Sequence, residues 1–387
     1  MSVRTDIVVT TIFEPAWLEG YLRNLRAHGR MDSTTLRIIC DRKTPDSVYA
    51  AARDAAAQGF AIDCPTLEEQ QAYLERLAAP AELVPWNTDN RRNIGFLRAL
   101  ESGADVLISI DDDNYCPEDV DFVGEHGVVG AAAAPETVSR VASGAPWFNI
   151  CELIDFGGAA PVYARGFPYR ARVAEATAAL STLEAPPARG GARIAVNAGL
   201  WLDDPDVDAL TRLTLAPQGR AARPESVLLG PQTWSPINTQ NTAMLREAIP
   251  AYYYVRMGFP LQGMRIDRFG DILSGYFLQA VAKHLGDGIR IGSPVAAHRR
   301  SPHDLFKDLY HELAGVVLIE ELVPWLRELT LEGDDYATTY ASLAQALEDG
   351  AERFRGFVWD EGGRDFLRET AGCMRDWLAL VARIRGA

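Results

Sequence analysis

The stretch Val106-Leu-Ile-Ser-Ile-Asp-Asp-Asp-Asn-Tyr115 constrains this chain more than any other. Five apolar or small residues read as a buried strand, and the carboxylates Asp111, Asp112 and Asp113 follow where that strand should leave its sheet. In an open α/β sheet this edge is where ligands bind. Residues two apart on an extended chain share a face, so Asp111 and Asp113 are expected to converge. Two unit charges about 4 Å apart repel by roughly 1 kcal/mol in water and about 4 kcal/mol at an effective dielectric of 20. Such a cluster calls for a compensating cation. Oxygen ligands of this kind suit Mn²⁺ or Mg²⁺, with a diphosphate as the metal's other ligand. The alternative is a solvated acidic turn after a core strand.

The preceding chain supplies the sheet. Residues 6–11 read as a first strand ending in Thr10 and Thr11, and residues 36–40 as a second ending at Asp41. Helical spacing covers 14–28, a helix start falls at Thr44-Pro45-Asp46, and further helices cover 67–77 and 90–101. This alternation implies a parallel sheet with right-handed crossovers. Further on, 127–134 reads as a strand entering a small-residue loop, 163–172 as an irregular loop, 186–191 as a linker and 194–202 as a strand. A helix at 271–284 and a short strand at 288–292 lead to His298. Beyond 300 only helical patterns remain, at 303–329, 336–354 and 365–385, and Pro324 is expected to kink or break the first. The expected division is a catalytic part over 1–300 and a helical part over 301–387.

Composition then narrows the partners. The net charge of −15 argues against nucleic acid or an anionic membrane, because no basic excess exists to neutralise phosphates. Five widely spaced cysteines, with no C-x-x-C pair, form neither a disulfide framework nor a zinc site. No run of 18 apolar residues exists, and the opening residues lack a signal peptide's apolar region, so a cytoplasmic location is expected. Neither G-x-G-x-x-G nor a Walker loop appears. A phosphatase of the haloacid-dehalogenase type also ends a strand in D-x-D. There the motif closes the first strand and continues into Gly-Thr, whereas here it continues Asn114-Tyr115.

Hydroxyls at one strand end, Asp41 at the next and the acidic triplet at a later one suit a nucleotide lying across the sheet edge, and the aspartates resemble the D-x-D motif of GT-A nucleotide-sugar transferases. The closer resemblance rests on several stretches in one order. These are Asp6-Ile-Val-Val-Thr-Thr11, Ile110-Asp-Asp-Asp113, Ala164-Arg-Gly-Phe-Pro-Tyr169, Asn197-Ala-Gly-Leu-Trp-Leu-Asp-Asp-Pro-Asp206, Arg268-Phe-Gly-Asp-Ile-Leu-Ser-Gly275 and His284-Leu-Gly-Asp-Gly-Ile289, followed by Pro294 and His298. In patches from residue 6 to about 325 the chain thus resembles the reversibly glycosylated polypeptides, whose plant members are UDP-arabinopyranose mutases.

The resemblance implies a GT-A-like α/β fold, a UDP-sugar substrate, Mn²⁺ or Mg²⁺, and interconversion of pyranose and furanose forms of a UDP-pentose. It implies self-glycosylation at an arginine that falls on Arg165, with a second family arginine on Arg172. A guanidinium stays protonated and is a poor nucleophile, so Arg165 could equally clamp the diphosphate. Asp271 is the candidate base. Asp111, Asp113 and His298 are the candidate metal ligands, and Thr10, Thr11, Asp41, Arg91, Asp111, Asp112, Asn197, Trp201, Asn241 and Arg268 the candidate nucleotide-sugar contacts. Departures from the family pattern include Asn114, where plant members have Cys, and Gly270, where they carry an acidic residue; 60–90 and 173–192 match poorly. Two other readings stay open: a glycosyltransferase with a small-molecule or glycan acceptor, and a non-catalytic nucleotide-sugar binder or self-glycosylated carrier. The C-terminal helices with Trp325, Trp359 and Trp377 read as packing or self-association surface, leaving a homo-oligomer open.

Overall fold

The computed structural model describes residues 3–158, 160–188, 190–300 and 303–386. Strand and helix alternate at first: β1 (Thr5–Thr11), α1 (Leu18–Ala27), β2 (Thr34–Cys40), α2 (Asp46–Ala57), β3 (Ala61–Asp63), α3 (Leu67–Arg76), α4 (Arg92–Ser102) and β4 (Val106–Asp111). β1 lies between β2 and β4 and is parallel to both, in keeping with their near-continuous buried Ile, Val and Leu. Gly103, at φ 73°, ends α4 in the left-handed conformation and turns the chain into β4.

The following elements are β5 (Asn114–Tyr115), α5 (Phe122–His126), β6 (Arg140–Ala142), β7 (Ile194–Asp203), α6 (Ala209–Leu215), β8 (Val227–Leu229), β9 (Asn241–Leu245), α7 (Gly270–His284) and β10 (Gly288–His298). They complete a ten-stranded sheet in the order β3-β2-β1-β4-β9-β7-β10-β8-β6, with β5 pairing on β10. The α/β class, the largely parallel sheet and the helical C-terminus agree with the sequence reading. The departures are β9, which runs antiparallel to both β4 and β7, and β5 and β8, which run antiparallel to β10. β10 runs on well past residue 292, so His298 is its last residue, opposite Asp203 of β7 and Asn114 of β5. The expected strand at 127–134 is not formed. Those residues are turns after α5, with a single bridge from Ala132 to Arg193, because their small side chains offer little to pack.

Three long helices follow: α8 (Leu305–Glu328), α9 (Tyr336–Gly350) and α10 (Arg364–Gly386). Pro324 does not break α8. It costs one backbone hydrogen bond in the last turns, where buried Leu322, Val323, Trp325 and Leu326 hold the helix to the core. The point where the sequence changes character, Ser301 and Pro302, lies outside the described residues. Among the described residues, α8 to α10 share one continuous core with the sheet. The Trp377 indole is fully buried, packs 6.0 Å from the Tyr253 ring and donates a hydrogen bond to the Pro250 carbonyl at 3.1 Å. No described helix is long and apolar enough to cross a membrane. Trp377→Ala should therefore cost about 3–5 kcal/mol. In urea, circular dichroism and fluorescence transitions should shift together, since sheet and helices unfold as a unit; separate transitions would show two independent cores.

Candidate active site at the strand ends

The acidic triplet does not behave as an extended strand. After Asp111 the chain turns at Asp112 and Asp113 before β5 begins, so the three carboxylates diverge rather than alternate. Asp111 faces the buried Arg92, whose Nη2 donates to its Oδ1 at 2.5 Å. The same guanidinium donates to Thr10 Oγ1 at 3.1 Å, to Ser109 Oγ at 2.9 Å and to the Ile110 carbonyl, tying β1 to β4. Desolvation in the recess pushes Asp111 up to about 7 although its side chain is still 36% exposed, with Arg92 opposing and Asp113 and Asp271 reinforcing. Burial also raises Asp112, against a hydrogen bond from Thr11.

Asp113 meets His298. Its Oδ2 lies 3.1 Å from His298 Nε2, while Nδ1–H of the imidazole donates to the Asp204 carbonyl at 2.5 Å. That second bond fixes the tautomer, so Nε2 faces the carboxylate with either a proton or a lone pair. Burial works against a charge on His298, but Asp113 raises its pKa on balance. Asp111, Asp113 and His298 therefore do not form the expected triad. Among the described residues no three such side chains group around one point, because Arg92 holds Asp111 away.

Arg165 occupies the neighbouring corner, and all five of its N–H groups are committed. Nε donates to Asp206 Oδ1 at 2.8 Å; Nη1 to the Arg268 carbonyl at 2.5 Å and Asp271 Oδ1 at 3.1 Å; Nη2 to Asp206 Oδ2 at 3.2 Å and Asp271 Oδ2 at 2.6 Å. The loop reaches this corner at Gly166, φ 85°, where a Cβ would meet Ile272 at 2.4 Å. Burial disfavours charge on both partners, yet each holds the other ionised. Arg165 is raised, and Asp206 is lowered to about 2. Asn238 Nδ2 also donates to Asp206, at 2.5 Å. Buried Trp201 lines the adjoining void, whose volume of about 10 Å³ admits no sugar. Arg268, held at φ 57°, pairs with Asp308 at 2.9 Å and Glu312 at 3.4 Å, and Arg300 with Asp308 at 2.8 Å.

Several expected contacts are engaged elsewhere. Asp41 accepts from the backbone N–H groups of Arg42 and Asn87, at 2.7 and 2.6 Å. Arg91 is buried against the Trp86 ring, 3.6 Å away, and bonded to Gln70. Asn197 and Asn241 sit inside the sheet, where both bond the ring of His126 and Arg290 donates to Asn197. Asn241 opens β9 opposite Ile110, but its side chain turns to His126 and to the Leu200 and Pro294 carbonyls. Arg172 pairs with Asp208 at 2.9 Å in a separate cavity. Sequence reasoning missed Asp206, Asn238, Asp308 and Glu312 as site residues. The i, i+4 spacing of Asp308 and Glu312 on one helix face was the available signal.

Two predictions follow from these contacts. Arg165→Met should destabilise the protein by about 3–5 kcal/mol, measured by urea unfolding, because it leaves two buried carboxylates uncompensated. Burial lowers His126 to about 3, so it stays neutral in the folded state while unfolded histidine titrates near 6.5. The His126 contribution to stability should be full above pH 6.5 and fall by about 1.4 kcal/mol per unit below it, a slope that the raised Asp111 opposes. NMR should show the His126 ring neutral at pH 5; a protonated ring would contradict this.

The chain is similar to several known proteins. The model of the family described as "Reversibly glycosylated polypeptide" matches residues 186–381. UDP-arabinopyranose mutase 1 of Oryza sativa subsp. japonica is 31% identical over 165 residues, covering 42% of this chain and 44% of that protein. Probable UDP-arabinopyranose mutase 2 of Solanum tuberosum is 34% identical over 148 residues, 38% of this chain and 39% of that one. The chain thus aligns with less than half the length of these relatives. Among solved structures, glucosyl-3-phosphoglycerate synthase of Mycobacterium tuberculosis with phosphoglyceric acid has a TM-score of 0.39 at 15% identity, covering 82% of this chain and 80% of that one. The same enzyme with Mn²⁺ and UDP-glucose gives 0.37 at 14%, covering 82% and 79%. By the family model, which spans half of its length, the chain belongs to the reversibly glycosylated polypeptide family.

Proposed function

We propose that this protein is a GT-A-type, metal-dependent UDP-sugar enzyme that cleaves and re-forms the anomeric sugar–diphosphate bond, interconverting pyranose and furanose forms of a UDP-pentose in the cytoplasm. The observation that carries the reading is the Asp113–His298 pair at the mouth of the sheet, 3.1 Å apart, with the tautomer fixed from behind. An imidazole lone pair and a carboxylate oxygen facing one another suit a cation shared between them. Mn²⁺ or Mg²⁺ held by Asp113 and His298, with diphosphate oxygens and water as its other ligands, would neutralise charge on the departing diphosphate. Membership of a family whose relatives are named for this reaction supports the sugar assignment.

The chain's own groups divide the remaining work. Arg92 keeps Asp111 fixed at the edge of the recess. Asp206 and Asp271, aligned by Arg165, present an acidic wall to the positive charge that develops on the sugar ring. With every N–H engaged, Arg165 acts as a positioning residue, neither clamping diphosphate nor carrying sugar covalently. Arg268, one third exposed, is the cation open to the diphosphate. In the second reading, transfer to an external acceptor, Asp271 is the general base.

Incubation with UDP-arabinopyranose and Mn²⁺ should give a new UDP-arabinofuranose peak by chromatography. Asp113→Ala should remove it and weaken Mn²⁺-dependent UDP binding by at least ten-fold in calorimetry. Turnover only with an added acceptor would favour the transferase, and binding without turnover the non-catalytic carrier. Unchanged UDP affinity in Asp113→Ala would remove the metal role. Peptide mapping should find the Arg165 peptide unglycosylated; a pentose on it would overturn the positioning role.

A further inference from the structure

The loop that carries Arg165 inward carries a second arginine outward. Arg165 grips Asp206, and Arg172 grips Asp208, so two parallel ion pairs clamp the loop to the start of α6. Beside Arg172 lies a cavity of about 280 Å³, open to solvent. This is near the lower limit of ligand pockets, which run from about 300 to 1,000 Å³, and too small to enclose a whole nucleotide sugar.

Its walls are chemically mixed. Tyr163 and Tyr169 supply aromatic faces, Leu210 and Leu215 an apolar wall, and Arg172 and Thr214 polar groups. Arg172 stacks on Tyr169 at 3.5 Å from the ring centroid and stands 5.1 Å from that of Tyr163. Its guanidinium is incompletely used. The bonds to Phe167 O and Thr211 Oγ1 are long, at 3.3 and 3.4 Å, and the buried Nε has no partner. Asp208 neutralises its charge, and Tyr169 donates to the same carboxylate at 2.7 Å. Leu210 and Leu215 are 41% and 44% exposed at the cavity. Apolar and aromatic surface beside spare hydrogen-bond donors, without net charge, matches a ligand with C–H faces and hydroxyl edges.

We propose that the cavity between the 163–172 loop and α6 binds a neutral saccharide ring, one face against Tyr163 and the leucines and its hydroxyls toward Arg172. This rests on the UDP-sugar reading and extends it, because Asp208, the partner of Arg172, lies two residues from Asp206, the partner of Arg165. The ring bound there is the terminal sugar of an acceptor or of a released product.

Saturation-transfer NMR on the full chain, with methyl α-L-arabinofuranoside and methyl β-D-xylopyranoside as probes, tests the site. UDP affinity is measured in parallel by calorimetry with Mn²⁺. The wild type should transfer saturation to at least one glycoside. Thr214→Trp, at an exposed position of α6 where the indole fills the cavity, should reduce that signal at least ten-fold and leave UDP affinity within two-fold. Tyr163→Ala should weaken it in the same way. No transfer in the wild type, or transfer that survives Thr214→Trp, overturns the proposal. Loss of UDP rather than glycoside binding in Thr214→Trp would show that the cavity serves the nucleotide, which also overturns it. Glycoside binding in a protein that binds no UDP would leave this site standing and sink the UDP-sugar reading instead.

Discussion

Charge compensation at the strand ends organises this molecule. A recess that gathers Asp111, Asp112, Asp113, Asp206 and Asp271 within one electrostatic environment cannot stay folded on hydrophobic packing alone, since each desolvated carboxylate repels the next. The chain answers with arginines drawn from distant elements: Arg92 from the start of α4, Arg165 from the long loop. Each guanidinium binds several partners, as its forked geometry allows and an ammonium would not. The balance is uneven, because Asp113 faces an imidazole rather than a guanidinium. Within the triplet Asp111 alone is paired with an arginine, while Asp112 is bonded by Thr11 and Asp113 faces His298.

That asymmetry has its origin in the backbone. β4 pairs with β1 through Asp111, which fixes the first carboxylate in register with Thr10. The turn that follows releases Asp113 toward the end of β10, and β5 closes the arrangement by pairing Asn114 with His298. Asn114 is locked in turn by reciprocal bonds with Gln240. The polar side chains before β9 thus support the turn from below, and specificity and scaffold are built from the same short segments.

The first half of the fold was legible in the sequence because β1, β2 and β4 are buried on both faces and read as continuous apolar runs. β3, β6 and β8 were not, since each has only three residues and takes its pairing from neighbours rather than from its own pattern. Asp111, Asp113, Arg165, Asp271 and His298 were recognisable from residue type and family order, but their partners were not. A period-two argument joined Asp111 to Asp113 and failed at a two-residue turn. Asn197 and Asn241 fell in strands that border the site, yet their side chains serve a buried histidine. Sequence order locates an element; it does not say which way a polar side chain on it finds its partner.

One long helix, α8, contributes both to the ion pairs of Arg268 and to the C-terminal packing. α8 sets Asp308 and Glu312 against Arg268 at its beginning and buries Trp325 and Leu326 among the C-terminal helices near its end. With a rise of 1.5 Å per residue, these anchor points lie about 25 Å apart on a single rigid rod. The ion pairs of Arg268 and the C-terminal packing are thus carried by one and the same helix.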